Sequence, residues 1–497
     1  MHVLLDPARL LRRGSLLVLS AGLTAAVSAT LTTPAQAAVD TQLKTKLSSV
    51  LNDASSRTES SVSVLDAKTG EVVFARGASR SVVPASNTKI LTAVTALHVL
   101  KPGYRFSTEV VRRGKVTNGV LGGRLYLVGR GDPTARQSDY ASLARQVRAA
   151  GITRVTGALV ADASFFDAQR YNPAWSGSYA SQYYAAQTSA LTVAPNADYD
   201  TGTVIVNYRA GGAGTKATIT TTPAAAAKYV RIVNATTTGS TSSSTSVSVT
   251  RAAGTNTITV RGRVRGGARG GQLVTVNKPE LYAAAVFRAE LTKVGVTVVG
   301  SSTIATTPAT SRTRLARDTS MPLSQLLVPF MKLSNNMHAE ALTKTMGART
   351  GRPGSWKDGL AYTRAYMKHL GAPMTGVSLA DGSGLTRRNK VTPLAMATVL
   401  QQVRSEPWFP TFDASMPVAG VSARMTGGTL RSRMTGTLAA GNAHAKTGTL
   451  TGVTALSGYV TGRDGRRYVF SMISNYSGAT PRPVENTFVV ALANWRR

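Results

Sequence analysis

The chain has 497 residues and no cysteine, and it sets only 23 acidic residues against 58 basic ones. Without cysteine, neither a disulfide nor a lipid anchor on cysteine can form, so packed cores alone must stabilise the fold. The five histidines are scattered, and neither a His-Glu-x-x-His motif nor a Gly-x-Ser-x-Gly motif is present. We therefore expect no metal and no cofactor.

The shortage of acidic residues leaves a formal net charge of +35. Such an excess favours polyanionic surroundings through an attraction that salt weakens. Zinc-finger spacing, heptad repeats and aromatic-basic RNA motifs are missing, which argues against nucleic acid as the partner. For an exported protein, we expect anionic wall polymers or a membrane surface. The alternative is a generic basic surface without a particular partner.

Long apolar runs are missing from the chain except near its start, where the pattern predicts a signal peptide. Three arginines precede the run SLLVLSAGLTAAVSA, and the small-residue site Ala35-Gln36-Ala37 follows it. We expect residues 1–37 to be removed on export, and Arg12-Arg13 permits a twin-arginine route. The mature chain has no predicted membrane span. It is therefore expected to be extracytoplasmic: secreted, periplasmic or associated with the cell wall.

The composition and the hydrophobic pattern of the sequence change twice along the chain. Helical and strand-like patterns at both ends flank a β-rich middle, in which short strands alternate with loops rich in Gly, Ala, Ser and Thr. Within this middle, the low-complexity run TTTGSTSSSTSVSVT predicts a surface loop or an exposed β-edge. Three serial domains fit this pattern, and so does one α/β domain interrupted by an insertion.

The string Lys-Thr-Gly occurs twice, and the first copy predicts a turn. Lys68-Thr69-Gly70 lies between two alternating stretches, SVSVLDA and EVVFARG. A tight hairpin needs a positive φ at the position of Gly70, and polar residues are ordinary in such turns. We assign this copy no chemistry.

The second copy, Lys446-Thr447-Gly448, opens a strand-like run and continues with Thr449, where the first copy has Glu71. A lysine and two threonine hydroxyls suit a substrate carboxylate, whereas a glutamate would repel it. Gly448 is expected to let a substrate backbone approach closely. The second copy is therefore the candidate binding site.

A candidate nucleophile stands at the start of an apolar helix, in Ser86-Asn87-Thr88-Lys89. Residues three apart share a helix face, so the hydroxyl of Ser86 and the amine of Lys89 can form a hydrogen bond. A buried lysine can take the proton of a serine, and a helix N-terminus stabilises the developing negative charge. Taken alone, an N-cap serine and a surface lysine explain the same pattern.

A third element, Ser334-Asn335-Asn336, ends another apolar helical stretch, where a hydroxyl and an amide can face a cleft. Taken alone, this element is explained equally well as a polar cluster that ends a helix. Together, however, Ser-x-x-Lys, Ser-x-Asn and Lys-Thr-Gly follow one another in the order typical of penicillin-recognising serine enzymes.

The chain resembles the low-molecular-mass class C penicillin-binding proteins, which are D-alanyl-D-alanine carboxypeptidases/endopeptidases. The similar phrases include VVPASNTKILTAVTAL, LYLVGRGDPT, SNNMHAEAL, DGSGLTRRNKVTP and AKTGTLTGVTALSGYV. The resemblance implies an α/β (α+β) serine transpeptidase-like catalytic domain, formed by residues 38–105 and 315–497. It also implies a β-rich insertion, residues 106–314, with a nested second insertion at about 197–270.

The resemblance also implies a role for each motif residue. Ser86 would attack the penultimate D-alanine of a peptidoglycan stem peptide, with Lys89 as base. Ser334, tuned by Lys446, would pass a proton to the leaving amine. The remaining implied contacts are an amide held by Asn336, a carboxylate bound by Thr447 and Thr449, and an oxyanion hole of the Ser86 and Thr449 N–H groups. β-Lactams would acylate Ser86 and leave slowly.

One departure from the family concerns the side chain of the substrate. Some relatives bind a diaminopimelate amino group with an acidic residue of the insertion, but the matching stretch WSGSYASQYYAAQTSALTV has none. Tyr183 or Tyr184 remains to line that pocket, and we name Tyr184 as the candidate. The turn Asp381-Gly382-Ser383-Gly384 is read as lying near the site without chemistry. The alternative functions are a β-lactamase and a non-catalytic basic wall-binding protein on the same scaffold.

Overall fold

The computed structural model describes residues 34–52 and 58–496. Most of the expected signal peptide, residues 1–33, lies outside these ranges. The helices are α1 Pro34–Asn52, α2 Thr88–Leu100, α3 Gln137–Ala149, α4 Pro279–Lys293, α5 Leu323–Lys332, α6 Asn336–Gly347, α7 Trp356–His369, α8 Pro393–Gln402, α9 Phe409–Ser415, α10 Arg424–Gly427 and α11 Arg482–Asn494. Within the described ranges, none of the helices combines the length and the apolar character that a bilayer crossing requires.

Within residues 34–52 and 58–496, the strands fall into four sheets. They are β1 Thr58–Asp66, β2 Val72–Arg76, β3 Ser107–Thr117, β4 Val120–Gly129, β5 Arg154–Val155, β6 Leu159–Asp162, β7 Thr203–Arg209, β8 Thr218–Thr222, β9 Arg231–Thr238, β10 Ser246–Arg251, β11 Thr257–Val264, β12 Arg269–Thr275, β13 Thr297–Val298, β14 Ser302–Ile304, β15 Thr313–Thr319, β16 His444–Leu450, β17 Val453–Thr461 and β18 Arg467–Tyr476.

One antiparallel sheet combines the two ends of the chain, in the order β16-β17-β18-β1-β2. Side chains alternate between the two faces of a strand, and both faces of this sheet are buried. Ala455 and Tyr459 of β17 join a core with α2 and with α5 to α9, whereas Leu456 and Val460 join a core with α1 and α11. The sheet is thus a layer between two groups of helices, and β16 is one of its edges.

The β-rich middle has a core of its own. β13, β5, β4, β3 and β15 follow one another in a seven-stranded sheet that β6 and β14 complete, and two three-stranded sheets have the orders β10-β11-β9 and β12-β7-β8. Their inward side chains pack together with α3 and α4. The low-complexity run ends in β10, an edge strand, as its composition predicts. Two of the expected boundaries fall inside strands: position 270 lies within β12, and position 314 lies within β15, which pairs with β3. The domain boundaries given above stay a prediction.

The first Lys-Thr-Gly copy forms the turn between β1 and β2, which confirms the prediction. Gly70 has a φ of +78°, and its N–H donates to the carbonyl of Asp66. Lys68 and Thr69 are exposed there.

Candidate active site

Ser86 lies in a single turn of 3-10 helix, residues 85–87, which leads directly into α2. Ala85 has a φ of +46°, a conformation that costs a non-glycine residue energy and holds this turn in a special geometry. Lys89 follows in the first turn of α2 and is completely buried. Its Nζ donates to Ser86 Oγ at 2.9 Å. The structure therefore brings together the hydroxyl and the amine that the helix spacing predicted.

Two further acceptors surround the amine of Lys89. Its Nζ donates to Asn336 Oδ1 at 2.6 Å and to the carbonyl oxygen of Ser383 at 2.7 Å. Burial lowers the pKa of Lys89 from 10.5 to about 7, although the negative charges of Asp381 and Glu340 act in the opposite sense. Because the pKa lies near neutrality, a large fraction of the amine can accept a proton at physiological pH.

The second lysine of the site is also buried. Lys446 Nζ donates to Ser334 Oγ and to the carbonyl oxygen of Thr447, both at 2.8 Å. Burial, and then the positive charge of Lys89, hold the pKa of Lys446 well below its ordinary value. Ser334 has a φ of +60°, so the backbone bends sharply just before α6 begins. Ser334 and Lys446, 112 residues apart, thus form one hydrogen-bonded pair.

Asn336 links the lysine to the inserted region. While its Oδ1 accepts from Lys89, its Nδ2 donates to the backbone carbonyl of Tyr184 at 2.8 Å. Tyr184 therefore reaches the site with its backbone, and its ring lies in an aromatic cluster. That ring is 5.8 Å from the ring of Tyr179 and 5.6 Å from the ring of Tyr183, edge to face in both cases. The same cluster includes Trp175.

Strand β16 presents an open backbone edge at the cleft. The N–H of Ala445 points away from β17 and donates to the carbonyl oxygen of Pro417. Since backbone groups of a strand alternate between its two edges, Thr447 and Thr449 also point their N–H and C=O groups away from β17. Thr449 is exposed, and Thr447 Oγ1 lies 2.8 Å from Thr429 Oγ1. This edge can receive an extended ligand.

Gly448 was expected to let a substrate backbone approach, but the structure indicates a different need for glycine at this position. A Cβ at this position would lie 2.8 Å from the carbonyl oxygen of Pro84 and 3.2 Å from the Cβ of Ala85. What approaches Gly448 closely is therefore the chain's own turn before Ser86. The glycine lets β16 pack directly against the segment that carries the serine.

Two carboxylates, for which no role was predicted from the sequence, lie behind Lys89. Glu340 accepts from the N–H groups of Gly382 and Ser383 and from the Trp356 indole, at 2.7 to 3.1 Å. It therefore fixes the carbonyl of Ser383 against Lys89. The phrase Asp-Gly-Ser-Gly correctly indicated a turn, but its composition says nothing about a buried glutamate from α6 that holds it.

The other carboxylate, Asp381, is buried at the start of the same turn. It accepts from Gly384, Thr386, Asn389 and the indole of Trp175, the last at 2.8 Å. Burial raises the pKa of Asp381 and of Glu340, the latter to about 7, while these N–H donors act in the opposite sense. Since Trp175 belongs to the β-rich middle, Asp381 also ties that region to the site.

A loop of the β-rich middle is fastened to the start of α6. The side chain of Asn335 accepts from the N–H groups of Met337 and His338 and donates to the carbonyl of Tyr199 at 3.1 Å. His338 Nε2 lies 3.1 Å from the same carbonyl, and burial lowers the pKa of His338 to about 4. Asp198 pairs with Arg424 in addition. The loop is therefore held against the start of α6, next to Asn336.

The chain is similar in sequence to known carboxypeptidases. Residues 43–495 match the family described as D-Ala-D-Ala carboxypeptidase 3 (S13). A D-alanyl-D-alanine carboxypeptidase of Actinomadura sp. (strain R39) is 40% identical over 466 residues, which cover 92% of this chain and 85% of the relative. The D-alanyl-D-alanine carboxypeptidase DacB of Haemophilus influenzae is 26% identical over 410 residues, 82% of this chain and 83% of the relative.

A solved structure supports the fold. The crystal structure of penicillin binding protein 4 (dacB) from Haemophilus influenzae superposes with a TM-score of 0.78 at 24% identity, covering 90% of this chain and 99% of the other. A complex of that protein with a β-lactam superposes with a TM-score of 0.74. The expected fold class, a penicillin-recognising serine enzyme domain with insertions, is thereby confirmed.

Proposed function

The chain belongs to the D-Ala-D-Ala carboxypeptidase 3 (S13) family, and from this premise we propose that it acts through an acyl-enzyme on Ser86. It is a serine-type D-Ala-D-Ala carboxypeptidase. The observation that carries the proposed mechanism is the 2.9 Å hydrogen bond between Ser86 Oγ and the buried amine of Lys89. This pair has the arrangement of a nucleophile and its base.

In the first step, Ser86 Oγ bonds to the carbonyl carbon of the penultimate D-alanine, and its proton passes to the neutral amine of Lys89. The C–N bond then breaks, and the terminal D-alanine leaves after its nitrogen receives a proton from Ser334 Oγ. Lys446, 2.8 Å from that hydroxyl, replaces the proton. Water then attacks the ester carbon, and one of its protons passes through Ser334 Oγ to the now neutral Lys446. The bond from the acyl carbon to Ser86 Oγ breaks, Ser86 takes its proton back from Lys89, and the shortened peptide leaves with a new carboxyl group.

The open edge of β16 supplies the substrate contacts. We assign the substrate carboxylate to the hydroxyls of Thr447 and Thr449, beside the charge that Lys446 can carry. The N–H groups of Ser86 and Thr449 form the oxyanion hole, since that of Thr449 points to the open edge. Asn336 holds the substrate amide, for which its Nδ2 exchanges the carbonyl of Tyr184 for that of the substrate.

Mass spectrometry after incubation with a penicillin tests the acyl-enzyme. The wild type should gain the mass of one penicillin, and Ser86→Ala should gain none. Ser81→Ala is the matched control, because the hydroxyl of Ser81 only donates to the carbonyl of Gly376 and should not affect labelling. An adduct on Ser86→Ala would sink the proposal, and rapid release of hydrolysed penicillin over many turnovers would favour the β-lactamase alternative.

We further propose that the enzyme acts on peptidoglycan stem peptides and also cleaves cross-links between them. We assign the side chain of the third residue to the aromatic cluster with Tyr184, because the backbone of Tyr184 contacts Asn336 and the cluster offers apolar surface in place of a carboxylate. Stem-peptide analogues with a free and with an acetylated side-chain amine test this assignment. Equal cleavage is expected, and a strong preference for the free amine would contradict it.

The proposal also covers where the enzyme works and what its positive charge binds. We propose that residues 1–37 are a signal peptide and that the mature enzyme works outside the cytoplasm, in contact with anionic wall polymers or a membrane surface. Sequencing the N-terminus of the exported protein tests the cleavage site, which should give Ala38 first. Release from isolated cell walls by salt tests the electrostatic attachment.

A further inference from the structure

Positive charge is concentrated in one part of the β-rich middle. Between Thr201 and Pro279 the sequence contains ten basic residues and no acidic residue. This stretch forms the two three-stranded sheets β10-β11-β9 and β12-β7-β8. A local field of one sign therefore surrounds these sheets, whereas elsewhere acidic residues offset part of the charge.

The sheet β10-β11-β9 turns one face to solvent. Ile232 of β9, with Val247 and Val249 of β10, packs against the core, so the residues between them point outward. On that outer face Arg231, Arg261 and Arg263 are exposed. Within residues 34–52 and 58–496, none of the three arginines has a carboxylate at ion-pair distance.

Small hydroxyl side chains fill the space beside these arginines. Ser246 lies directly opposite Arg263, and Ser248 lies opposite Arg261. Thr259 shares the face on β11, two residues before Arg261. Guanidinium forks bind phosphate oxygens in pairs, and hydroxyls donate single hydrogen bonds to the same oxygens. This outer face thus offers many donors and no carboxylate that would repel an anion.

We propose that the outer face of the sheet β10-β11-β9 binds a phosphodiester-linked polymer of the cell wall. A bilayer fits the face less well, because binding in the headgroup region needs large apolar or aromatic side chains beside the basic ones. The largest apolar group exposed on these three strands is Val233, which is 38% exposed. The proposal uses the extracytoplasmic location given above and does not depend on the chemistry at Ser86.

Binding to a soluble glycerol-phosphate polymer tests this inference. The variant with Arg231→Gln, Arg261→Gln and Arg263→Gln should bind about tenfold more weakly or worse, because each exposed ionic contact contributes a factor of several. If each arginine contacts one phosphate, the slope of log affinity against log salt should fall by about 2, at roughly 0.7 per contact.

A second triple variant controls for net charge. Lys357→Gln, Lys368→Gln and Arg463→Gln remove the same charge from exposed positions on other elements and should leave polymer binding nearly unchanged. Equal losses in the two triple variants would overturn the proposal, and so would tighter binding to anionic phospholipid vesicles or to single-stranded DNA than to the polymer.

Two further readouts separate this surface from the active site. Thermal unfolding should be unchanged in both variants, since all six side chains are exposed. Penicillin labelling should also persist in both. Loss of polymer binding with labelling intact supports the surface alone, whereas failed labelling of the wild type with polymer binding intact would refute only the proposed acyl-enzyme.

Discussion

The acylation rate should depend on pH through the amine of Lys89. With a pKa of about 7, about half of the amine is neutral at pH 7 and about one part in a hundred at pH 5. The second-order rate constant for penicillin acylation should therefore rise about fiftyfold from pH 5 to pH 7. Above pH 8 it should level off, because the amine is then almost entirely neutral.

An unperturbed lysine would behave differently. With its ordinary pKa of 10.5, the rate constant would keep rising about tenfold per pH unit up to pH 10. Stopped-flow acylation with a chromogenic β-lactam between pH 5 and 10 distinguishes the two cases. A rise that continues without a plateau would refute the assignment of Lys89 as a neutral base.

Glu340 has to be excluded as the source of the same titration, because its pKa is also raised to about 7. The variant Glu340→Gln should be acylated more slowly, because its amide NH2 cannot accept a hydrogen bond and replaces one of the two oxygens that accept from Gly382, Ser383 and the Trp356 indole. The rising limb should nevertheless remain and move to lower pH, because the lost negative charge had raised the pKa of Lys89. If the limb disappears, the titration belongs to Glu340. Glu71→Gln, at an exposed position, is the control.

Three other substitutions test separate parts of the site. Gly448→Ala should slow acylation strongly, because the new methyl group would lie 2.8 Å from the carbonyl oxygen of Pro84 and must displace the turn before Ser86. Penicillin-labelling kinetics measure the acylation rate, and an unchanged rate would contradict the contact. Asn335→Ala should lower the free energy of unfolding by about 1–3 kcal/mol, since the cap of α6 and the hydrogen bond to the carbonyl of Tyr199 are both lost. Urea unfolding measures this free energy, and an unchanged value would mean that Asn335 does not hold the loop. The wild type should become more stable relative to Lys89→Met as the pH rises from 7 to 10, by at most about 1.4 kcal/mol per pH unit, because the lysine stays protonated in the unfolded chain but not in the folded one. A difference in unfolding free energy that does not change with pH would contradict the lowered pKa.

Local parts of the site were predictable from sequence. The pairing of Ser86 with Lys89 follows from a helix period, and the turn at Gly70 follows from hairpin geometry. The proximity of Lys446 to Ser334 depends on tertiary structure, and only the family motif indicated it. The turn at Asp381 was predicted to lie near the site, but the burial of Asp381 and Glu340 was not predictable, because burial depends on which elements pack together. Gly448 shows the same limit, because the carbonyl of Pro84 that it contacts lies 364 residues earlier in the chain.

The sheet that joins the two ends of the chain has a consequence for biosynthesis. β1 pairs along its whole length with β18, and the hydroxyls of Ser60 and Ser474, 414 residues apart, meet across it. A ribosome must therefore finish nearly all of the polypeptide before this layer can close, which delays folding. A nascent fragment that stops before β16 carries the proposed nucleophile but lacks Lys446 and the edge to which we assign the substrate, so unfinished chains should be unable to trim cell-wall precursors.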